Sequence, residues 1–357
     1  MKIKRFVCYM LLFLTLCGSA FSQENDVWKT GNQIHVEKVL DCDGIPLVID
    51  TDVLIPEQSV ACNYELGKMT VDELRAWEER MNWTALGFFG AESLKWSQFD
   101  SILSAYNSGQ QLTGVLSEYH FFLVDDRFGG VLEYYDSPVP ERGQVYNVEP
   151  FDSFDFSDVA EYAEHVAREF GIQLGEANRV YRLESEHFSK NDVMMGSVAD
   201  YFEDRNGDIQ MYVAWFPVYY QDKRLHSYRY GMTSDQSNVR NCALKIVYTE
   251  EGPKALYVPF VNGLIPTSDE RRILTYEEAI ESIREHFAET FLPGVERIEL
   301  AELAMEYIPY CNKPPYSRYT VYPAWRAKVV IAYSGEQWQM INMSLNACSG
   351  EVMYAVR

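Results

Sequence analysis

After residue 16 this chain has no apolar run approaching the roughly eighteen residues that a membrane-crossing helix needs, so its body is expected to be soluble. It also lacks the common signatures of catalysis. No His-Glu-x-x-His places two imidazoles on one helix face for zinc, and no Gly-x-Ser-x-Gly lifts a nucleophile onto a strained turn. No glycine-rich loop is built for phosphate, and the six histidines are scattered singly. Cations are scarce: 31 Lys and Arg stand against 53 Asp and Glu, a formal charge of −22. Such a surface repels nucleic acid and anionic headgroups, so neither is expected as a partner. Cysteine is sparse and never occurs as Cys-x-x-Cys, which removes the usual structural zinc sites.

What is present begins at the N-terminus. Lys2, Lys4 and Arg5 precede the apolar run Phe6 to Leu16, and small residues follow in GSAFSQE. This is the three-part pattern of a secretory signal peptide over residues 1–22, with cleavage after Ser22. Lipidation at Cys17 is the rival reading, and Leu16 is bulky for the residue before a lipidated cysteine. Removal of Lys2, Lys4 and Arg5 takes the formal charge from −22 to −25. Apolar residues at 47% and aromatics at 14% suffice for packed cores and exclude a disordered chain.

Five cysteines follow the leader: Cys42, Cys62, Cys242, Cys311 and Cys348. Export permits disulfides, and Cys42 with Cys62, and Cys311 with Cys348, are the pairs nearest in sequence. The odd number fits buried free thiols equally well.

Residues 23–136 are expected to form an N-terminal α+β domain. IHVEKVLDC and PLVIDTDVLIP read as strands, and Thr70-Val-Asp-Glu73 is a capping box for a helix over LRAWEERM. A second helix is expected from Ser93, with Trp96, Phe99, Ile102, Leu103 and Tyr106 on one face. GVLSEYHFFLV and GVLEYY read as strands joined through DDRFGG. Residues 137–158, rich in Pro, Asp and Phe and without a period, mark the boundary.

Beyond it the order of elements repeats. Val159, Tyr162, Ala163, Val166 and Phe170 stand at i, i+3, i+4, i+7 and i+11, as do Tyr276, Ala279, Ile280, Ile283 and Phe287. Gly171 is suited to close the first helix, and Thr275 with Glu278 to cap the second. Alternating strands follow each: NRVYRLESE and VERIELAELAMEYI. Next comes a strand with Ala214-Trp215 or Ala324-Trp325, then a hairpin, ALKIVYTEEGPKALYVPF or QMINMSLNACSGEVMYAV. Two units are therefore expected, at 156–262 and 275–357, each a helix packed across an antiparallel sheet with one wet face. The tryptophans are expected to plug the helix–sheet core of each.

The residues AMEYIPYCNKPPYSRYTVYPAWRAKV and INMSLNACSGEVMY resemble the terminal repeats of PepSY-like extracytoplasmic proteins of Gram-positive bacteria, including the YycH and YycI type envelope regulators. They are also similar to uncharacterised secreted or lipid-anchored proteins of gut Firmicutes. The shared features are the capped helix, Tyr307-Ile308-Pro309, Pro323-Ala324-Trp325-Arg326, and Asn346-Ala347 ahead of Ser349-Gly350-Glu351-Val352. The resemblance covers 275–357 and extends to 156–262. It implies a cystatin-like αβββ unit that works outside the membrane by binding, and it carries over no catalytic residue.

Each remaining candidate also has a simpler reading. Glu161, His165 and Glu169 share helical spacing, which a solvated polar stripe also produces. Glu203, Asp204 and Asp208 do not meet the EF-hand spacing, because Gly207 comes too early, and Asn206-Gly207 reads as a hairpin turn. Asp125-Asp126 and the pair Glu184 and Glu186 are the visible carboxylate pairs for glycoside chemistry. Tyr219, Tyr220, Tyr228 and Tyr230 flank Trp215; Tyr316, Tyr319, Tyr322 and Tyr333 flank Trp325. Residues 221–238 form an insertion in the first unit that gathers Lys223, Arg224 and Arg229 in an acidic chain. Partner contact is expected at Arg224, Arg229, Tyr228, Tyr230, Tyr316 and Tyr319.

The expected function is a secreted, non-catalytic binding or regulatory protein of the bacterial cell envelope, engaging an extracytoplasmic protein or peptide without metal or cofactor. The alternative is a secreted hydrolase of envelope peptides or glycans with a carboxylate-based site. A purely structural surface protein is the third possibility.

Overall fold

The computed structural model describes residues 27, 29, 31–136, 150–151, 154–185, 196–204, 207–227, 239–290, 292–311, 318–335 and 337–356. It is a mixed α+β protein dominated by antiparallel sheet. The expected leader, with Cys17 and Ser22, and residues 137–149 of the expected boundary lie outside the described residues. No described helix is long and apolar enough to cross a membrane.

The chain opens with a long hairpin of β1 (Asn32–Cys42) and β2 (Ile45–Ile55), turning through Asp43 and Gly44, both at positive φ. Short strands β3 (Val60–Ala61) and β4 (Tyr64–Leu66) precede helix α1 (Val71–Arg80). Its capping box forms as expected, with Glu73 N donating to Thr70 Oγ1 and the Glu73 carboxylate accepting from Thr70 N. A meander of β5 (Trp96–Phe99), β6 (Ile102–Asn107), β7 (Leu112–Ser117) and β8 (His120–Asp125) follows. Two helices come next, α2 (Gly129–Asp136) and α3 (Phe156–Phe170).

Then come β9 (Gln173–Leu174), β10 (Arg179–Glu184), helix α4 (Gly196–Glu203), β11 (Gln210–Tyr220) and β12 (Lys223–Arg224). The hairpin β13 (Ala243–Thr249) and β14 (Gly252–Pro259) leads through β15 (Leu264–Pro266) and β16 (Arg271–Arg272) to helix α5 (Tyr276–Glu289). The chain ends on β17 (Val295–Tyr310), β18 (Thr320–Tyr333), β19 (Gln337–Asn346) and β20 (Val352–Val356).

Two large sheets hold the described residues, and β16 pairs with β3 in a small third one. One runs β10-β11-β13-β14-β8-β7-β6-β5, with β9 and β12 also on β11; the other runs β1-β2-β17-β18-β19-β20, with β4 on β18. In each, a helix precedes four sheet neighbours laid down in chain order: α3 before β10, β11, β13 and β14, and α5 before β17 to β20. Both helices bury the face read from the sequence. Val159, Tyr162, Ala163 and Val166 are buried on α3, and Ala279, Ile280, Ile283 and Phe287 on α5. Gly171 ends α3 in the left-handed region at φ 64, and Thr275 caps α5 with Glu278.

The described strands between 32 and 136 do not form a sheet of their own. β2 runs parallel to β17, so β1 and β2 extend the second sheet, while β8 pairs with β14 and carries β5 to β7 onto the first. The pairing partners are more than a hundred residues away, beyond the reach of local pattern.

Three local expectations give way to tertiary structure. The helix expected from Ser93 to Tyr106 is a β-hairpin, turning at Asp100 with φ 52 between Phe99 and Ile102. Buried Leu103 and Ala105 stand two apart, as a strand requires, and an apolar spacing that also suited a helix hid this. GVLEYY is helix α2, with adjacent Val131 and Leu132 both buried. The residues DYFED end helix α4, and Gly207 N donates to Phe202 O as the helix terminates, so no hairpin forms there. Asn206 lies outside the described residues.

Trp215 and Trp325 are both fully buried. Trp325 packs in the same core as α5 and donates from Nε1 to Leu274 O at 3.1 Å. Trp215 lies in a different core, among Phe128, Tyr181, Val198 and Tyr201, on the side of the first sheet opposite α3. The two Ala-Trp pairs therefore occupy different faces, contrary to their expected equivalence. All five described cysteines are free thiols, so neither sequence-adjacent pair is bonded.

Candidate functional site

Where the two sheets meet, β17 and β18 present one polar face. Their register sets Glu302 opposite Lys328, Ala304 opposite Arg326, and Glu306 opposite Ala324. Side chains alternate across a strand, so Glu302 and Glu306 share a face, as do Arg326 and Lys328. The opposite face, with Leu303, Met305, Tyr307 and Trp325, belongs to the apolar core. A register shift between Leu300 and Glu302 breaks the β17 ladder, and Thr51 Oγ1 donates to Ala301 O at 2.7 Å there.

The first sheet supplies the cover. After β12, Leu225 bridges to Tyr307 in parallel, and His226 N donates to Tyr307 O at 3.0 Å. This brings Arg224 and His226 against the acids of β17. Glu306 is fully buried; its carboxylate lies 2.9 Å from His226 Nδ1, 3.2 Å from Arg326 Nε and 3.3 Å from Arg224 Nε. Arg326, with a side chain 2% exposed, reaches Glu302 through Nη1 at 2.9 Å, and Lys328 Nζ lies 3.5 Å from the same carboxylate. Burial pulls the Glu306 carboxyl upward, but Arg326, His226 and Arg224 outweigh it and hold the pKa at about 2. Glu306 is therefore a carboxylate at neutral and mildly acidic pH.

Above this network opens a cleft of about 560 Å³. Arg224, Arg326, Lys328 and Glu302 form one wall, and Lys29, Gln33, Thr51 and Asp52 come from the opening segment and β2. The β9–β10 connection adds Glu176 and Asn178. Tyr219 sits where two glycines give it room. A Cβ on Gly175 would stand 3.0 Å from Tyr219 Cε2, and one on Gly31 3.4 Å from its hydroxyl. Arg224 donates to that hydroxyl, while burial raises the phenol pKa. Asn178 donates from Nδ2 to Ser227 Oγ at 2.6 Å, and its buried Oδ1 accepts nothing from the described residues.

Of the residues expected to meet a partner, Arg224 is brought into this cleft, with its side chain 12% exposed and tied to Glu306. Tyr319 is elsewhere, edge-on to Tyr119 at 5.1 Å and 5.7 Å from the Arg240 guanidinium. Arg229, Tyr228, Tyr230 and Tyr316 lie outside the described residues. Lys223 is buried between Tyr64 and Tyr307 and pairs with Asp222. Tyr220 and Tyr322 are half-buried, and the Tyr333 hydroxyl donates to Gln339 Oε1.

The other described candidates either make structural contacts or lie exposed. His165 contacts Ala85 O through Nε2 at 2.8 Å, pinning α3, and Glu161 and Glu169 are exposed. Asp125 pairs with Arg127 and caps the turn before α2; Asp126 accepts from Thr113. Glu184 pairs with Arg182, while Glu186 is outside the described residues. Glu203, Asp204 and Asp208 are exposed, and no group of metal-ligating side chains gathers among the described residues.

Sequence reasoning passed over Glu302, Glu306, His226, Arg326 and Lys328. The signal lay in alternation: acids at 302 and 306 on one strand and cations at 326 and 328 on the next, each interrupting apolar neighbours. Only the burial of that face, supplied by the distant 224–226 segment, makes it a site.

No family model matches the chain, and no curated protein matches it. Its fold is similar to the crystal structure of an uncharacterised protein from Eubacterium rectale, with a TM-score of 0.61 and 15% sequence identity. That likeness covers 90% of this chain and 95% of the other, so both sheets take part in it.

Proposed function

We propose that this is an extracytoplasmic binding protein of the bacterial cell envelope, exported by residues 1–22, that receives a polar extended segment of a protein partner in the cleft between its sheets. Asn178 carries the reading. Its Oδ1 is a buried acceptor with no partner among the described residues, in a cleft whose Arg224, Arg326, Lys328 and Glu302 are already in ion pairs. A turn of the carboxamide toward the cleft would let a backbone N–H of a bound peptide satisfy it, and leaving it unsatisfied costs about 1–3 kcal/mol. The PepSY-like reading is supported by the order of elements, a helix before a four-strand meander in each sheet.

Asp52, Glu176 and Glu302 also line the cleft, and that convergence favours the hydrolase as the second reading. A glycosidase needs one carboxyl that keeps its proton near neutral pH. Glu302 is instead clamped by Arg326 and Lys328, and Glu306 is held ionised beneath the wall. This environment suits recognition better than proton transfer.

The test places a photo-crosslinking residue at Gln33 in the protein starting at Gln23 and exposes it to cell-envelope extract. A discrete adduct that disappears in Asn178→Leu supports the proposal. Release of reducing sugars or free amines from the extract, abolished by Glu302→Gln, would establish the hydrolase instead.

A further inference from the structure

A second concavity, about 490 Å³, lies on the other side of Tyr219. It opens between the end of α1, the end of α3, the end of β11 and the segment after β14. Trp77, Phe170 and Phe260 form an aromatic cluster there. Trp77 stands 4.9 Å from Phe170 and 5.5 Å from Phe260, and the two phenylalanines are 6.2 Å apart and near parallel. Phe260 is buried, while Trp77 and Phe170 are half-buried. The polar lining is made of carboxamides and phenols. Gln173 and Tyr220 are half-buried, and Gln221 and Asn262 are exposed.

Among the described residues no Asp, Glu, Lys, Arg or His lines this groove, although 24% of the chain is charged. A charged ligand would find no counter-ion in the lining, and the Glu73 carboxylate bonded to Asn262 at the margin would repel an anion. An apolar peptide is disfavoured on different grounds. Strand addition needs open backbone groups, and β11 is already paired on both sides here, with β9 at Val218 and Tyr219 and with β12 at Tyr219 and Tyr220. A lipid tail is favoured by an enclosed apolar cavity, and this groove carries carboxamides at its exposed margin.

We propose that the groove binds a neutral carbohydrate chain. A pyranose has apolar C–H faces that lie against aromatic rings and an edge of hydroxyls that both donate and accept. Carboxamides match that edge because each also donates and accepts. The frame is fixed before binding. Asn262 Nδ2 donates to Lys68 O at 3.2 Å, and Gln221 is held in the left-handed region at φ 58 by the tight β11–β12 turn. The site is separate from the seam cleft, and its occupancy needs no protein partner.

The experiment titrates the protein starting at Gln23 with cellotetraose, xylotetraose, mannotetraose and maltotetraose, each to about 10 mM, following tryptophan emission and heat. Tetragalacturonic acid is the charged comparison. At least one neutral tetrasaccharide should saturate a single site, with tetragalacturonic acid silent. The double variant Gln173→Ala/Gln221→Ala should weaken that binding about tenfold with unchanged circular dichroism, and Trp77→Phe should weaken it as well. Absence of binding by all four neutral sugars overturns the proposal. So does equal binding of tetragalacturonic acid, or affinity that is unchanged in the glutamine double variant.

Discussion

Arg326 Nε lies 3.2 Å from the Glu306 carboxylate, and neither side chain has appreciable contact with water. An ion pair removed from solvent contributes little net stability compared with apolar residues of the same shape, yet breaking it from one side is costly. Glu306→Gln would leave Arg326 and Arg224 facing a neutral amide. A loss of about 3–5 kcal/mol in urea denaturation at neutral pH is expected. The double change Glu306→Leu/Arg326→Leu should recover part of it. A loss below about 1 kcal/mol in Glu306→Gln would mean that water reaches the pair.

The same contacts give stability a defined acid limb. Glu306 is lowered from 4.5 to about 2 in the folded protein, so its contribution is complete above about 4.5 and is lost as pH falls toward about 2. His120 acts at higher pH. It is half-buried, stacked 5.2 Å from Tyr257 and 2.8 Å through Nδ1 from Ser117 Oγ. Burial, then Arg240 and Lys245, lower its pKa from 6.5 to about 3. The folded state therefore keeps it neutral while the unfolded chain takes a proton, and stability falls as pH drops below about 6.5. Denaturation midpoints across pH 4.5 to 6.5 should flatten in His120→Gln by about 2 kcal/mol while the Glu306 limb stays in place. Equal slopes in both proteins across that window would show that His120 is protonated in the fold.

Much of this architecture was legible in residue spacing, because it rests on short-range chemistry. The helices starting after Thr70 and Thr275 show their capping boxes in the sequence, and the β13–β14 and β19–β20 hairpins show their alternation. The hairpin through Asp100 did not, since Trp96, Phe99, Leu103 and Tyr106 satisfy a helical period while Leu103 and Ala105 satisfy a strand. The seam was not legible either. Glu302 and Glu306 look like solvated strand positions until β12 and His226, about eighty residues earlier, are laid over them. Arg224 stands out in the sequence for its charge in an acidic chain. Its actual role, joining the sheets through Glu306, depends on a pairing that no local pattern records.

Gly175 tests whether Tyr219 is positioned by the space beside it. A Cβ there meets Tyr219 Cε2 at 3.0 Å and Pro217 Cβ at 3.6 Å, tighter than comfortable on the ring side. Gly175→Ala should push the ring away from Arg224 at a cost of about 1–2 kcal/mol, and Gly175→Val by more. Tyr219→Phe keeps the ring and removes only the acceptor for Arg224, so it should cost about 1 kcal/mol. Thermal or chemical denaturation of the three variants ranks them. Gly175→Val as stable as the parent would show that the ring moves freely.

The free thiols offer a check on burial that is independent of stability. Cys42 and Cys242 are buried, and that burial pushes their thiol pKa up; Arg284 beside Cys42 and Arg240 beside Cys242 only partly oppose it. Cys348 is half-buried and is also raised by burial, with Arg271 opposing. The thiolate is the reactive species, so a raised pKa and poor access both slow alkylation. Iodoacetamide at pH 7.5 should modify the folded protein at Cys348 first and leave Cys42 and Cys242 unreacted, whereas urea should expose all five. Mass spectrometry of non-reduced digests distinguishes this from oxidation. A Cys42–Cys62 or Cys311–Cys348 crosslink in freshly exported protein would require the strands carrying them to sit closer together than free thiols imply, and would overturn the thiol assignment at those positions.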